Sequence, residues 1–159
     1  MRYKPIRRRA DVPALLEEFA RTLWEELDYE LEASNLERFA DLYAHNERVY
    51  IPAVYRQHST RRVIVLENVE GLKITDIEGM EALGINPKEV AETLLDCYFQ
   101  QIFQEGFFHA DPHPGNLFVR PRTDLPWAIA DNGDAPPLLA RPFWLTFVDF
   151  GMVGHVPDL

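Results

Sequence analysis

The alternation of apolar and polar residues predicts a long helix near the start of the chain. Its pattern opens at Asp11, with Pro13 in the first turn, where a missing N–H is tolerated. At about 100° per residue, one apolar stripe contains Leu16, Phe19, Leu23, Leu27 and Leu31. A second stripe on a different face contains Leu36, Phe39 and Tyr43. The helix is therefore predicted to bend, to break or to pack against two neighbours, and to end by residues 45–46.

Two runs rich in β-branched and aromatic residues follow, and then a second helix. Residues 49–55 predict a strand that Pro52 confines to an edge or a bulge, because proline lacks the N–H that a sheet ladder needs. Residues 62–66 predict a cleaner strand. The second helix is predicted from its cap, Asn86, to Gly106. We expect it to be well buried, because its wide apolar arc comprises Val90, Leu94, Leu95, Tyr98, Phe99, Ile102 and Phe103.

The last third of the chain combines two short predicted strands with a long connection. Residues 117–119 and 145–148 have the composition of strands. The stretch between them, 120–144, is rich in proline and contains the turn signal Asn-Gly-Asp at 132–134. It is therefore predicted to be a long surface loop. The final strand leads directly into Asp-Phe-Gly at 149–151.

Composition narrows the function classes. The 159 residues are 47% hydrophobic and 12% aromatic, which is enough for a core and excludes a disordered chain. The single cysteine, Cys97, excludes a disulfide scaffold and is predicted to be a core residue in a reducing compartment. A net charge of −10 argues against a nucleic-acid partner, although a nucleotide neutralised by a divalent metal remains compatible. No window of about 18 apolar residues predicts a membrane span.

The sharpest motif is a polar loop followed by an Asp-Phe-Gly turn. It has the spacing His109-x-Asp111-x4-Asn116, with Asp149 at the end of the last strand. The first part alone is expected by chance at on the order of one position in 10⁴. Phosphoryl transfer needs such groups, because a carboxylate must orient the nucleophile and metal ions must neutralise the phosphates. Asp111 suits the first task; Asn116 and Asp149 offer the oxygen ligands that Mg²⁺ prefers, and Gly151 is expected to let the backbone turn sharply beside them.

Other interpretations of these residues remain open at this point. His109, Asp111 and His113 form His-x-Asp-x-His, which is also compatible with a metal-dependent hydrolase. The simpler hypothesis is that His109 braces the loop through hydrogen bonds. Asp28 and Glu32, taken alone, are compatible with an ordinary solvated helix face.

At this level of detail the chain resembles the UbiB/ADCK/AarF atypical kinases, which are protein-kinase-like proteins linked to ubiquinone and isoprenoid-lipid metabolism. The resemblance covers about residues 14–156. Besides Phe108 to Asn116, it rests on Glu26-Leu27-Asp28-Tyr29, Glu32-Ala33, Asn35, Val69-Glu70-Gly71-Leu72-Lys73 and Val148 to Gly154. It implies an α+β, protein-kinase-like partial domain. Residues 11–69 would be a small-lobe remnant with helix C, two strands and the hinge, and residues 70–159 the large-lobe part, with 120–144 inserted beside the site.

The resemblance also implies roles for individual residues. Asp111 would be the catalytic-loop aspartate, with Asn116 and Asp149 as the ligands of Mg²⁺. The remaining positions would serve binding of ATP or ADP. Glu67 and Val69 would form the adenine hinge, and Leu66 the wall behind it. Glu26 and Asp28 would be the family's Glu-x-Asp motif, and Glu32 would be the lysine-pairing glutamate of helix C.

A kinase domain also needs a phosphate-covering loop and a strand-borne lysine, and we find neither before Asp11. We therefore expect a fragment or one piece of a split domain, with weak nucleotide binding and negligible turnover. The intact protein would be an ATPase or a small-molecule or lipid kinase; the alternative is a non-catalytic pseudokinase remnant that acts by binding. Expected partners are a nucleotide, a complementary N-terminal chain and, by family analogy, isoprenoid lipid or membrane-associated biosynthetic proteins. The expected location is cytoplasmic, with a peripheral position at the inner face of the membrane suggested by the family.

Overall fold

The computed structural model describes residues 12–14, 16–17, 28–125 and 141–157, and residues 12–14 and 16–17 are helical. The helices of the longer parts are α1 (Tyr29–Leu42), α2 (Ile77–Ala82) and α3 (Pro87–Phe99), which continues as a π-helical turn, Gln100–Gln104. Two 3₁₀ turns cover Arg56–His58 and Pro114–Asn116. The strands are β1 (Val49–Tyr50), β2 (Leu72–Lys73), β3 (Phe107–His109), β4 (Leu117–Pro121), β5 (Phe143–Phe147) and β6 (Val153–His155).

The strands form two sheets that meet beside the Asp-Phe-Gly turn. The larger sheet has the order β1-β5-β4-β2. β4 and β5 pair antiparallel, with Val119 opposite Leu145, whereas β1 joins β5 in parallel. β3 and β6 pair antiparallel in the smaller sheet, with His109 opposite Val153. The two sheets therefore bring the chain before Asp111 and the chain on either side of Asp149 into one region.

Helix α1 begins at Tyr29, inside the long helix that the sequence predicts from Asp11 to residues 45–46. Asp28 is its N-cap, and the Asp28 side chain accepts a hydrogen bond from the backbone N–H of Glu30. Leu36 and Phe39 lie on the buried face of α1, and Tyr43, its C-cap, is buried as well, so the second apolar stripe is confirmed. Of the first stripe, Leu16 and Leu31 are exposed, and the other members lie outside the described residues.

Helix α3 begins as predicted, with the Asn86 side chain accepting from the N–H of Lys88. Cys97 is buried in the core, as expected. The expectation that the whole apolar arc is buried is wrong, because Leu95, Phe99 and Phe103 are exposed. The arc is wider than the face of the helix that meets the core.

The predicted strands and loop differ from the structure mainly in their boundaries. Over 49–55 and 62–66 the regular strand is limited to β1, and the two runs join through an isolated antiparallel bridge between Val54 and Leu66. Pro52, which has no N–H to donate, lies between β1 and that bridge. The connection predicted over 120–144 is too long at both ends, because β4 runs to Pro121 and β5 begins at Phe143.

The core has an aromatic centre where α1, β3 and β5 meet. The fully or nearly fully buried side chains at this centre are Phe39, Phe107, Phe147 and Phe150. The ring of Phe39 lies 4.8 Å from that of Phe107 and 5.0 Å from that of Phe150, measured between centroids. Phe150 thus anchors the Asp-Phe-Gly turn to helix α1. Among the described helices, none has the length and apolar character needed to cross a membrane.

Candidate active site

His109 closes β3 and supports the loop that follows. Its ring is buried, with Nδ1 accepting from the N–H of Asp111 at 3.3 Å and Nε2 3.2 Å from the carbonyl oxygen of Val148. These partners require the tautomer that carries its proton on Nε2. Both ring nitrogens are thus engaged, which argues against His109 as a metal ligand and supports the hypothesis that it braces the loop. His113 uses its own Nδ1 to accept from the N–H of Gly115.

Asp111 is held by hydrogen bonds to both of its carboxylate oxygens. The Asn116 amide nitrogen donates to Oδ2 at 2.7 Å, and the backbone N–H of His113 donates to Oδ1 at 3.3 Å. Asn116 is itself tied to the end of β5, because its carbonyl accepts from the N–H of Val148 at 2.9 Å. The Asn116 side-chain oxygen accepts no hydrogen bond from any residue of the described ranges. Asn116 is therefore oriented by its nitrogen while its oxygen remains available to a cation.

Asp149 adopts a backbone conformation that residues other than glycine rarely take. Its φ is 62°, in the left-handed region, at a cost of about 1–3 kcal/mol that persists only where the surrounding structure enforces it. Gly151 does not have a positive φ, and a Cβ added there would meet Asp149 at an ordinary contact distance of 3.4 Å. The expectation that Gly151 makes the sharp turn is wrong. Asp149 makes it, and the Gly151 N–H donates to Asp149 Oδ1 at 3.3 Å.

Two polar residues of α1 hold the residue after Asp149. The backbone N–H of Phe150 donates to Glu32 Oε1 at 3.3 Å, and the Phe150 carbonyl accepts from the Asn35 amide nitrogen at 3.0 Å. Both side chains are buried on one face of α1. Asn35 is a site residue to which the sequence pattern assigned no role. The sequence indicated it only by an amide side chain that stands three residues after Glu32, on the helix face that otherwise carries apolar residues.

These elements enclose a cavity of about 410 Å³, lined by Tyr29, Glu32, Asp111, Asp149, Gly151 and Met152. Burial raises the pKa of Glu32, the charge of Asp149 raises it further, and the hydrogen bond from Phe150 opposes both. Among the described residues, no lysine or arginine lines the cavity or pairs with Glu32. The cavity therefore has the electrostatic character that a divalent cation would stabilise.

The donor set fits Mg²⁺ held jointly by protein and nucleotide. In the ranges that the structure describes, no three His, Cys, Asp or Glu side chains are grouped closely enough to form a metal site alone. Mg²⁺ usually takes only one or two carboxylates from the protein and completes its shell with phosphate oxygens and water. Asp149 lines the cavity and offers such a carboxylate. Asn116 is not among the lining residues, but it is bonded to Asp111, which is, and its amide oxygen is a suitable second ligand. A closed zinc site at His109, Asp111 and His113 does not.

Of the predicted acidic motif, Asp28 is described by the structure and does not line this cavity. Asp28 caps α1 and pairs with Arg61, whose Nε lies 3.1 Å from Oδ2 of Asp28. Glu26 lies outside the described residues. The role that the resemblance implies for these two positions remains a prediction.

The predicted adenine hinge also lies away from the lining of the cavity. Both carboxylate oxygens of Glu67 lie 2.6 Å from the Tyr50 hydroxyl, and Oε2 accepts from the N–H of Ala53 at 3.1 Å. Leu66 packs against the core and Val69 is half-buried. The Glu67 side chain therefore has a structural function, and adenine binding by the backbone of this segment remains a prediction.

Fold and site together define a protein-kinase-like α+β unit in which a polar loop, residues 109–116, lies beside an Asp-Phe-Gly turn. The ABC1 atypical kinase-like domain matches residues 2–158. The chain is 38% identical over 150 residues to an uncharacterized Synechocystis protein, covering 94% of this chain and 19% of that protein. It is 37% identical over 146 residues to the Arabidopsis chloroplast protein ACTIVITY OF BC1 COMPLEX KINASE 8, covering 92% and 17%.

Two further similarities agree with this assignment. A probable protein kinase UbiB of Vibrio campbellii is 40% identical over 117 residues, covering 74% of this chain and 22% of that one. A Mycobacterium tuberculosis protein, solved as an Rv3197–erythromycin complex, superposes with a TM-score of 0.62 at 26% identity, covering 98% of this chain and 33% of that chain. The chain belongs to the ABC1 atypical kinase-like family, which confirms the resemblance. It spans about a fifth of the length of the curated relatives it matches.

Proposed function

We propose that this chain carries the Mg²⁺–nucleotide centre of an atypical kinase or ATPase. The observation that carries the proposal is the 2.7 Å hydrogen bond between Asn116 and Asp111, at a cavity that Asp149 enters from a left-handed backbone. That bond orients two groups at once. It holds the carboxylate of Asp111 and leaves the oxygen of Asn116 to a cation. Structural packing alone does not require such an arrangement at a solvent-accessible cavity.

Each residue has a distinct task in this proposal. Asn116 and Asp149 would hold Mg²⁺, which supplies neutralisation of phosphate charge when bound. Asp111 accepts a hydrogen bond from the acceptor hydroxyl or from water and so orients it toward the phosphate. Glu32 holds the backbone of Phe150 and thereby keeps Asp149 directed to the cavity.

Only similarity to other proteins supports a proposal for the substrate class. Relatives named UbiB support a link to ubiquinone or isoprenoid-lipid metabolism, and the kinase-like fold supports ATP or ADP as the nucleotide. Adenine would lie against the backbone of residues 67–69. An isoprenoid lipid or membrane-associated biosynthetic proteins would be the partners.

Isothermal titration with ADP, with and without Mg²⁺, tests the proposal. We expect Mg²⁺ to strengthen ADP binding and Asp149→Asn to remove that gain, a loss of about tenfold or more in apparent affinity. Asp124→Asn is the matched control, since Asp124 pairs with Arg122 and does not line the cavity. If Mg²⁺ has no effect on the wild-type chain, or if both variants behave alike, the proposal is wrong. An ATP hydrolysis assay on the same samples separates an enzyme from a protein that acts by binding alone.

A further inference from the structure

A polar side chain lies in line with the buried face of α3, on the π-helical turn that continues this helix. The buried positions Val90, Thr93 and Cys97 are followed at the next turn by Gln101, which is 0% exposed. A fully buried amide is costly unless its oxygen and nitrogen both find partners. The turn that carries it is π-helical, with the N–H of Glu105 donating to the carbonyl of Gln100. Such turns are often found at functional sites.

Gln101 satisfies both ends of its amide and links α1 to the catalytic loop. Its Oε1 accepts from the backbone N–H of His109 at 3.0 Å. Its Nε2 donates to the Tyr43 hydroxyl at 2.9 Å, and that hydroxyl donates to the carbonyl of Cys97 at 3.3 Å. The amide orientation follows from these partners, because a backbone N–H can only donate.

The contact at His109 reaches both halves of the candidate site. The His109 ring accepts from the N–H of Asp111 through Nδ1 and lies at hydrogen-bond distance from the carbonyl of Val148 through Nε2. Asp111 begins the catalytic loop, and Val148 immediately precedes Asp149. The position of His109 therefore sets how the loop and the metal-binding turn lie relative to each other.

We infer that Gln101 is a positioning residue of the site: through His109 it holds Asp111 and Asn116 in register with Asp149. The chemical meaning of this role rests on the proposed Mg²⁺–nucleotide function, but the positioning itself has a signature that needs no ligand. Gln101 does not line the cavity. Its effect on the site is transmitted by the backbone of β3 and by the His109 ring.

The test replaces Gln101 by side chains of equal length. Gln101→Met removes donor and acceptor, whereas Gln101→Glu keeps an oxygen for the N–H of His109. Val90→Ala is the control, because it truncates a buried side chain of the same helix without touching these hydrogen bonds. The first readout is NMR of the His109 ring nitrogens and of the backbone amides of His109 and Asp111. The second is the ratio of ADP affinities with and without Mg²⁺.

We expect Gln101→Met to shift the ring nitrogen signals of His109 and to speed hydrogen exchange at the backbone amide of His109. We also expect it to reduce the gain in ADP affinity that Mg²⁺ gives by about tenfold. Val90→Ala leaves all three at wild-type values. Unchanged His109 and Asp111 signals in Gln101→Met would overturn the inference. If that variant does not fold, Gln101→Glu decides, since loss of His109 amide protection there would equally overturn it. Should wild-type ADP binding prove independent of Mg²⁺, the proposed function fails, and the His109 signals still decide the positioning.

Discussion

The strongest packing prediction concerns Phe150, because this residue joins the Asp-Phe-Gly turn to the core. Its side chain is fully buried, with ring centroids 5.0 Å from Phe39 and 5.3 Å from His109. Phe150→Ala removes these contacts and leaves a cavity between α1 and β3. Truncations of buried phenylalanine cost about 3–5 kcal/mol. The backbone bonds of Phe150 to α1 survive the substitution, so we expect the loss to reflect the ring alone.

Urea unfolding of two matched variants measures this contribution. Phe103→Ala makes the same chemical change at a side chain that is 65% exposed. The centroid of the Phe103 ring lies 5.9 Å from that of Phe99. We expect Phe103→Ala to change the free energy of unfolding by less than about 1 kcal/mol. A loss below about 1 kcal/mol for Phe150→Ala, or equal losses for the two variants, would refute the packing described for the turn.

Three further predictions follow from buried groups. Asn35→Ala leaves the buried carbonyl of Phe150 without its donor, and urea unfolding should show a loss of about 1–3 kcal/mol. Burial raises the pKa of Cys97 to about 11 from an ordinary 9.0, so a thiol reagent at pH 8 should label the native chain at least about 100-fold more slowly than the unfolded chain; comparable rates would contradict its burial. Burial and Asp149 raise the pKa of Glu32 above its ordinary 4.5, so the native state binds this proton more tightly than the unfolded state does. The resulting stability is complete below the ordinary value and is lost as pH rises through the raised one. Without divalent cations, Glu32→Gln should therefore flatten the fall in urea midpoint with rising pH, and an unchanged pH profile would contradict this.

The polar loop at residues 109–116 and the Asp-Phe-Gly turn could be recognised in the sequence because their determinants are local, whereas their chemistry remains a prediction. Asp111 and Asn116 are five residues apart, and a strand end carries Asp149, so the residue types and their spacing indicated a site without knowledge of the fold. The cap of α3 at Asn86 was equally local. Each of these depends on a few neighbouring residues and on backbone rules that hold in any fold.

What the sequence did not predict depends on contacts between distant segments. The parallel pairing of β1 with β5 joins Val49 to Leu145 across almost a hundred residues, and no periodicity in the sequence indicates such a partner. The tasks of Asn35 and Gln101 are set by backbone groups of Phe150 and His109, which lie far away in sequence. Their only signal was a polar side chain in a buried register. The left-handed backbone at Asp149 could not be inferred either, since only a small share of residues other than glycine adopt it.

The central claim is that Asn116 and Asp149 hold a divalent cation together with a nucleotide. Mn²⁺ prefers the same oxygen ligands as Mg²⁺ and broadens the NMR signals of nearby nuclei. Adding Mn²⁺ and ADP to the ¹⁵N-labelled chain should broaden the backbone amides of Asn116, Asp149 and Gly151 first, and Asp149→Asn should abolish this selectivity. Broadening centred on another acidic segment, such as α2, or broadening that Asp149→Asn leaves unchanged, would contradict the account.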